Sequence, residues 1–233
     1  MGKTVAIIPA RGGSKRIPDK NVRDFAGNPM LSYPISAAKD AGIFDRIIVS
    51  TDSERIASIA KDCGAELPFI RPPELANDFA GTEDVMFHAL DWLKAAGYDV
   101  EYFCCIYATA PFLKPEFLRE GFQLLKEKNA TSVFSVGTIP CPIFRALKIE
   151  PDGRMAMFWP EYRDALSNTM PKAYQDAGQF YFCREDRFRE EKQLISTNSF
   201  PVILPRHLVH DIDHPEDWET AEKIFCALNG KAQ

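Results

Sequence analysis

Nowhere in the 233 residues is there a run approaching the ~20 consecutive apolar residues that cross a bilayer, so no membrane-spanning segment is expected. No export signal is expected either: Val5-Ala6-Ile7-Ile8 meets Arg11 at once, short of the ~7–15-residue apolar core of a signal peptide. Met1-Gly2 lacks the Ser or Thr at position 6 that N-myristoylation wants, since Ala6 stands there. The six cysteines form no CxxC pair and show no zinc-ligand spacing, and Cys104-Cys105 lie in an apolar run where adjacent side chains face opposite ways. All six are expected to be reduced core thiols of a cytoplasmic protein. There is no basic excess: 28 basic against 33 acidic residues give a net −5, which excludes a protein held to nucleic acid or a membrane surface by bulk charge. Internal repeats and low-complexity segments are absent.

What is present is the composition of an ordinary globular protein, 45% hydrophobic and 26% charged, which rules out disorder and coiled coil. One domain with a sizeable core fits this length. The chain then alternates. Thr4 to Ile8 reads as a strand buried on both faces, Met30 to Ala41 as a helix closed by Gly42, and Arg46 to Ser50 as a second strand. Asp52-Ser53 cap a helix from Glu54 to Lys61. A short third strand is read at Leu67 to Ile70, then a helix from Thr82 to about Ala96, a strand from Tyr102 to Tyr107, a helix from Pro115 to Lys128 and a fifth strand from Ser132 to Val136. Such alternation predicts an α/β fold with a doubly wound, mainly parallel, Rossmann-like sheet.

The alternation breaks after Val136. Pro140 and Pro142 bracket Cys141, and Pro151-Asp152-Gly153 marks a hairpin turn between Ala146–Ile149 and Met155–Phe158. Residues 139–178 are expected to be an insertion into a core made of 1–138 and 179–233. Gln179 to Cys183 and Pro201 to Leu204 return as strands, and Pro215 to Leu228 is a terminal helix with Pro at its first turn.

In an open parallel sheet, ligands bind beyond the carboxyl ends of the strands where strand order reverses. The first strand opens into Arg11-Gly12-Gly13-Ser14-Lys15-Arg16-Ile17-Pro18-Asp19-Lys20-Asn21, with two glycines and four cations. Glycines expose backbone N–H groups to an anion, and Arg and Lys match phosphate oxygens. Neither GxxxxGK[ST] nor GxGxxG is present, and no GxSxG elbow marks a nucleophilic serine. Phosphate binding is the functional reading of this loop; a solvated basic loop is the alternative. A second candidate is His210-Asp211-Ile212-Asp213-His214. Carboxylates at i and i+2 of an extended segment share a face and can hold Mg²⁺, although Asp213 could equally cap the helix beginning at Pro215. Zinc at His207 and His210 needs a helix that the sequence does not support there.

Several of these segments are recognisable together. Pro9-Ala10-Arg11-Gly12-Gly13-Ser14-Lys15 with Pro18, Lys20 and Asn21 resembles the opening of the cytidylyltransferases that activate nonulosonic acids (sialic, legionaminic and pseudaminic acid). Ile48-Val49-Ser50-Thr51-Asp52, Arg71-Pro72-Pro73-Glu74-Leu75-Ala76 and Asp211-Ile212-Asp213 match in order and spacing, so the resemblance runs from about residue 4 to 225. The segments Cys104 to Phe112, Pro142 to Ile149, Met157 to Pro160 and Asp176 to Tyr181 resemble the pseudaminic acid branch. Sialic acid enzymes usually read Gln-Pro-Thr-Ser-Pro where this chain has Tyr107-Ala108-Thr109-Ala110-Pro111, and the ketodeoxyoctulosonate enzymes read Tyr-Gly-Ser-Thr-Arg where it has Gly12-Gly13-Ser14-Lys15-Arg16.

The resemblance implies that CTP and a nonulosonic acid give the CMP-sugar and pyrophosphate, with Mg²⁺. Arg11 and Lys20 are then expected on the triphosphate, aided by N–H groups of Gly12, Gly13 and Ser14, and Asp211 and Asp213 on the metal. Asn21, Arg71, Ala80 and Thr82 match the family's cytosine and ribose contacts, Thr82 replacing a common serine. Tyr107, Thr109, Gln175 and Gln179 are the sugar-side candidates. The resemblance also implies a homodimer in which the inserted segment crosses to the neighbour, Arg145 or Lys172 acting in trans. Two other classes share parts of the pattern: a metal-dependent glycosyltransferase, which has no need of a triphosphate grip, and a non-catalytic nucleotide-binding module, which has no need of the aspartates.

Overall fold

The computed structural model describes residues 2–230. The elements, in chain order, are strand β1 (Lys3–Pro9), the short strands β2 (Asp24–Phe25) and β3 (Asn28–Pro29), helix α1 (Ser32–Ala41), β4 (Arg46–Ser50), α2 (Glu54–Asp62), α3 (Thr82–Ala95), β5 (Val100–Ile106), α4 (Pro115–Glu127) and β6 (Ser132–Thr138). There follow β7 (Leu147–Ile149), β8 (Met155–Met157), β9 (Tyr174–Arg184), α5 (Glu185–Glu191), β10 (Ser199–Leu204) and α6 (Pro215–Leu228). Six strands form the central sheet in the order β10-β6-β9-β5-β1-β4.

β1 is parallel to β4 and β5, and β10 to β6, but β9 runs antiparallel to both of its neighbours. The sheet is therefore mixed, parallel in the half that carries the site. Both faces are covered, as the continuous apolar strands require. Ala6, Ile8, Val49, Cys104 and Ile106 point to the side of α1, α2 and α4. Val5, Ile7, Ile48, Phe103 and Cys105 point to the side of α3 and α5. Cys104 and Cys105 thus part to opposite layers, as alternation along a strand dictates. A third cluster joins Ile17, Phe25 and Met30 to Ile212, Trp218 and Ala221, and fastens α6 and the β2–β3 hairpin beneath the loop that follows β1.

Four sequence expectations change. Leu67 to Ile70 is not a strand: Glu66 alone bridges to Ile48, and Pro68, with no N–H to give, ends the ladder. The strand expected at Gln179 begins at Tyr174, so residues 174–178 belong to the central sheet and the excursion from it ends near Ala173, whose carbonyl accepts from the N–H of Ile139 at 3.0 Å. Among the cysteines, all free, Cys104, Cys105 and Cys183 are buried, whereas Cys63 and Cys226 are half-buried and Cys141 is exposed. Helix α5, rich in charge, and the β2–β3 hairpin, turned by Ala26 and Gly27 at φ 51° and 94°, have no counterpart in the sequence reading.

Candidate active site

Chain order fixes where the site lies. From β1 the chain adds β4 on one side and later β5 on the other, so the crevice beyond the carboxyl ends of β1 and β5 is the switch point of the sheet. A cleft of about 290 Å³ opens there. Pro9, Arg11, Ser14, Lys15, Arg16, Lys20 and Asn21 line one wall, Arg71 and the 75–82 segment another, and Tyr107, Ala108 and Thr109 close the third.

The basic loop is held from several directions. Its backbone is packed on the turn after β4: the N–H of Gly12 donates to Asp52 Oδ1 at 2.8 Å, and a side chain at Gly12 would meet Ser53 Cβ at 3.0 Å. Ser14 N–H donates to Gly12 O at 3.1 Å, and Asn21 Nδ2 to Arg11 O at 2.9 Å. Of the three N–H groups expected to receive an anion, those of Gly12 and Ser14 thus have acceptors within the loop or its support. Arg11 also spans the cleft, donating to Asn77 O at 2.8 Å and pairing with Asp78 Oδ1 at 2.9 Å, while Lys15 pairs with Asp78 Oδ2 at 2.5 Å. Asp78 is held below the usual carboxylate range by these hydrogen bonds, Lys15 first and then Arg11.

Arg71 is buried, and burial pushes its guanidinium down to about 10. Its Nε donates to Ser50 Oγ at 3.1 Å and another nitrogen to Ser50 O. It therefore ties the segment after α2 to the end of β4, and is a scaffold for the cleft wall as much as a contact. Ala80 and Thr82 sit at the start of α3 on the same wall, with Thr82 Oγ1 3.4 Å from the Tyr107 hydroxyl.

The acidic couple adjoins the basic loop. Lys20 Nζ donates to Ile212 O at 2.5 Å and lies 3.3 Å from Asp213 Oδ1, and Arg16 pairs with Asp213 Oδ2 at 2.9 Å. Residues almost two hundred positions apart are joined through one ammonium group. Asp213 does not cap α6: His214 is the N-cap, and Asp217 from the first turn accepts the N–H groups of Asp213 and His214 at 3.1 and 2.7 Å. Asp211 makes no side-chain hydrogen bond or ion pair among the described residues, and desolvation with the nearby Asp213 carboxylate raises its pKa while Lys20 offsets part of the rise. No cluster of three or more His, Cys, Asp or Glu suited to a metal occurs among the described residues. Two carboxylates suffice for Mg²⁺ where substrate phosphates complete its shell, so the donor set fits that ion. His210 Nε2 lies 3.0 Å from His207 O across a single short turn, Arg206–Leu208, so the two histidines do not form a helical zinc pair.

The sugar-side candidates divide. Tyr107 and Thr109 line the cleft. Gln179 does not: it is buried, and its Nε2 donates to Leu208 O at 2.6 Å, bracing the turn that leads to Asp211. Gln175 lies on the exposed start of β9, opposite Gly137. Arg145 is on the inserted segment with its guanidinium donating to Ala165 O at 2.6 Å, and Lys172 is exposed on the same segment. Sequence reasoning did not single out Asn77 and Asp78, which lie next to a quoted motif, and gave Asp52 only as a cap and a motif residue; all three organise the cleft through hydrogen bonds that only the fold reveals.

Residues 5–156 match the family model described as cytidylyltransferase. The chain is 37% identical over 223 residues to the pseudaminic acid cytidylyltransferase of Campylobacter jejuni, covering 96% of each chain. It is 35% identical to the CMP-N,N'-diacetyllegionaminic acid synthase of Legionella pneumophila, covering 99% of each. Among solved structures, CMP:2-keto-3-deoxy-manno-octonic acid synthetase complexed with CTP superposes with a TM-score of 0.70 at 17% identity, covering 97% of this chain and 99% of that one, which bears on the fold alone. The chain belongs to the cytidylyltransferase family.

Proposed function

We propose that the protein transfers the CMP group of CTP to a nonulosonic acid, pseudaminic acid above the others, releasing pyrophosphate with Mg²⁺ as cofactor. The single observation that carries the reading is the junction of Lys20 and Arg16 with Asp213, which puts the cations of the loop after β1 beside the carboxylates before α6. The 37% identity to a relative named for pseudaminic acid supports the choice of sugar, and Tyr107 in place of the usual glutamine agrees with it.

In the reaction the anomeric hydroxyl of the sugar attacks the α-phosphorus of CTP; the new P–O bond forms as the bond to the β-phosphate breaks and pyrophosphate leaves. The protein has little covalent chemistry to perform, so positioning and charge neutralisation dominate. Arg11 and Lys20 grip the triphosphate, with Lys15 and Arg16 at the rim, and Asn21, Ala80 and Thr82 frame the nucleoside. Asp211 and Asp213 would hold Mg²⁺, which would supply charge neutralisation at the phosphates. Tyr107 and Thr109 face the acceptor sugar.

The inserted segment points to a homodimer. No residue from 138 to 176 is buried, yet Leu147, Ile149, Met155, Phe158 and Leu166 are each more than half exposed. Apolar surface gathered so densely on a two-stranded hairpin is what a second copy covers, and it brings Arg145 or Lys172 within the partner's reach. The deciding experiment combines CTP and Mg²⁺ with pseudaminic, legionaminic, N-acetylneuraminic and ketodeoxyoctulosonic acids and reads pyrophosphate. Fastest release with pseudaminic acid is expected. Release with none of the four, or on CTP hydrolysis alone, contradicts the reading. Light scattering tests the dimer, and a fully active monomer contradicts it.

A further inference from the structure

The sharpest irregularity of the central sheet lies beside Tyr107. Between Phe134 and Val136 of β6 only Ser135 intervenes, whereas the paired residues of β9 are Tyr181 and Asp176, so residues 177–180 form an enlarged bulge. Asp176 closes it by accepting from the Tyr181 hydroxyl at 2.6 Å. The bulge takes Gln179 and Phe180 off the β6 ladder, and the buried Ser135 hydroxyl accepts both of their N–H groups, at 3.3 and 3.2 Å. The Gln179 carbonyl accepts from the N–H of Tyr107 at 2.9 Å. Both backbone groups of Gln179 are thus engaged, one with β6 and one with the cleft wall that carries Tyr107 and Thr109.

The Gln179 side chain is buried, with Nε2 donating to Leu208 O at 2.6 Å and Oε1 without a partner among the described residues. A carbonyl only accepts, so the amide nitrogen must face Leu208 and the orphan is the oxygen. Burying Oε1 without a donor costs free energy. What the glutamine contributes is its one side-chain bond, and that bond tethers the near end of the segment bearing the acidic couple. Along this segment Leu208 and Ile212 are buried in the third cluster, and Val209 packs on β6, where a Cβ at Gly137 would meet it at 3.0 Å. The far end is held twice: Ile212 O accepts from Lys20 Nζ, and Asp217 accepts the Asp213 N–H. Asp213 is also paired with Lys20 and Arg16, whereas the Asp211 side chain has no hydrogen bond or ion pair among the described residues. The place of Asp211 is therefore set by the backbone between the two tethers, three residues beyond Leu208.

Resting on the transferase reading above, we propose that Gln179 is a positioning residue for Asp211: its side chain fastens the segment bearing that carboxylate to the same residue whose backbone holds the Tyr107 wall, so the metal side and the sugar side of the cleft keep one register. Gln179 itself touches no reacting atom.

The test uses the full-length enzyme and CTP without sugar, so that no turnover intervenes, and compares calorimetric titrations in Mg²⁺ and in excess EDTA. Mg²⁺ should tighten CTP binding to the wild type. Gln179→Met, similar in length and volume, should cut that tightening by about tenfold, the size of a lost outer contact at a metal site, and leave the affinity in EDTA within about twofold. Gln179→Asn, one methylene short of Leu208, should behave alike. With the acid that the wild type turns over fastest, kcat should fall while the KM for the sugar stays within about twofold, since the backbone of residue 179 still holds Tyr107. In an Asp211→Ala background Gln179→Met should add no further loss of tightening. Unchanged tightening in Gln179→Met overturns the proposal. So does an equal loss of affinity in EDTA, or a penalty that persists undiminished beside Asp211→Ala, each the mark of a merely structural role. If Gln179→Met does not fold, Gln179→Asn decides. A wild type whose CTP affinity ignores Mg²⁺, or an Asp211→Ala enzyme that keeps the full tightening, is a different result: it removes the metal role of Asp211, and this inference with it.

Discussion

The cleft and the inserted segment obey opposite rules. Around the cleft part of the scaffolding is buried: Arg71 on Ser50, Gln179 on Leu208, the bulge on Ser135. The segment from Ile139 to Ala173 has no buried residue, and its order rests on one small antiparallel hairpin and a surface aromatic group in which Phe144 stacks on Tyr162 at 4.6 Å and meets Trp159 edge-on. A two-stranded hairpin is at best marginal alone in water. The contrast fits the proposed reading, in which the nucleotide half of the site is built within one chain and the sugar half is completed by a partner.

The largest effect that could break this contrast comes from excising residues 140–172 and closing Ile139 to Ala173 with a short glycine turn, since those ends already share a hydrogen bond. The truncated chain should fold, bind CTP and run as a monomer, while nonulosonate transfer falls by about 10²-fold or more through loss of substrate positioning. Retained transfer would place the whole site in the core. The next effect is on stability. Arg71→Ala removes a buried guanidinium from Ser50 and Leu75 and should cost about 2–4 kcal/mol in denaturant unfolding, against about 0.5 kcal/mol or less for Arg145→Ala.

Within the cleft, Lys20→Ala should raise the KM for CTP by about tenfold, because Lys20 joins the loop after β1 to Asp213, and the far more exposed Lys15→Ala by only about twofold. Asp78 gives the smallest effect. It occupies Arg11 and Lys15, so Asp78→Asn should lower the KM for CTP by about twofold. Because its folded pKa lies below the ordinary 3.8, the clamp is present above that value and is lost only as pH falls through the depressed one. The wild-type and Asp78→Asn difference should therefore stay constant from about pH 8 to about pH 5. A difference that fades across that interval assigns the effect to another group.

Much of this architecture is legible in the sequence because local signals and burial agree. The strand at Arg46–Ser50 and the helix at Pro215–Leu228 have the limits read from apolar runs, caps and Pro at the first turn. The basic loop, Arg71 and the aspartate couple announce themselves by residue type and by the resemblance they carry. Where reading fails, a longer-range contact decides. Leu67–Ile70 is apolar enough for a strand, but Pro68 denies it the ladder. Tyr174–Gly178 is polar and glycine-bearing, so it reads as loop, yet Val136–Thr138 provides an edge for it to pair with. The couplings of Asp78 to Arg11 and of Asp176 to Tyr181 connect residues whose proximity depends on loop closure and a bulge, which no periodicity encodes.

The central claim is that the loop after β1 and the carboxylates before α6 act on one metal-bound triphosphate. It is tested most directly by pyrophosphate release from Asp211→Ala and Asp213→Ala enzymes at saturating CTP, sugar and Mg²⁺. The account predicts a fall in turnover of about 10²-fold or more for each, and turnover near the wild-type rate in either variant would contradict it.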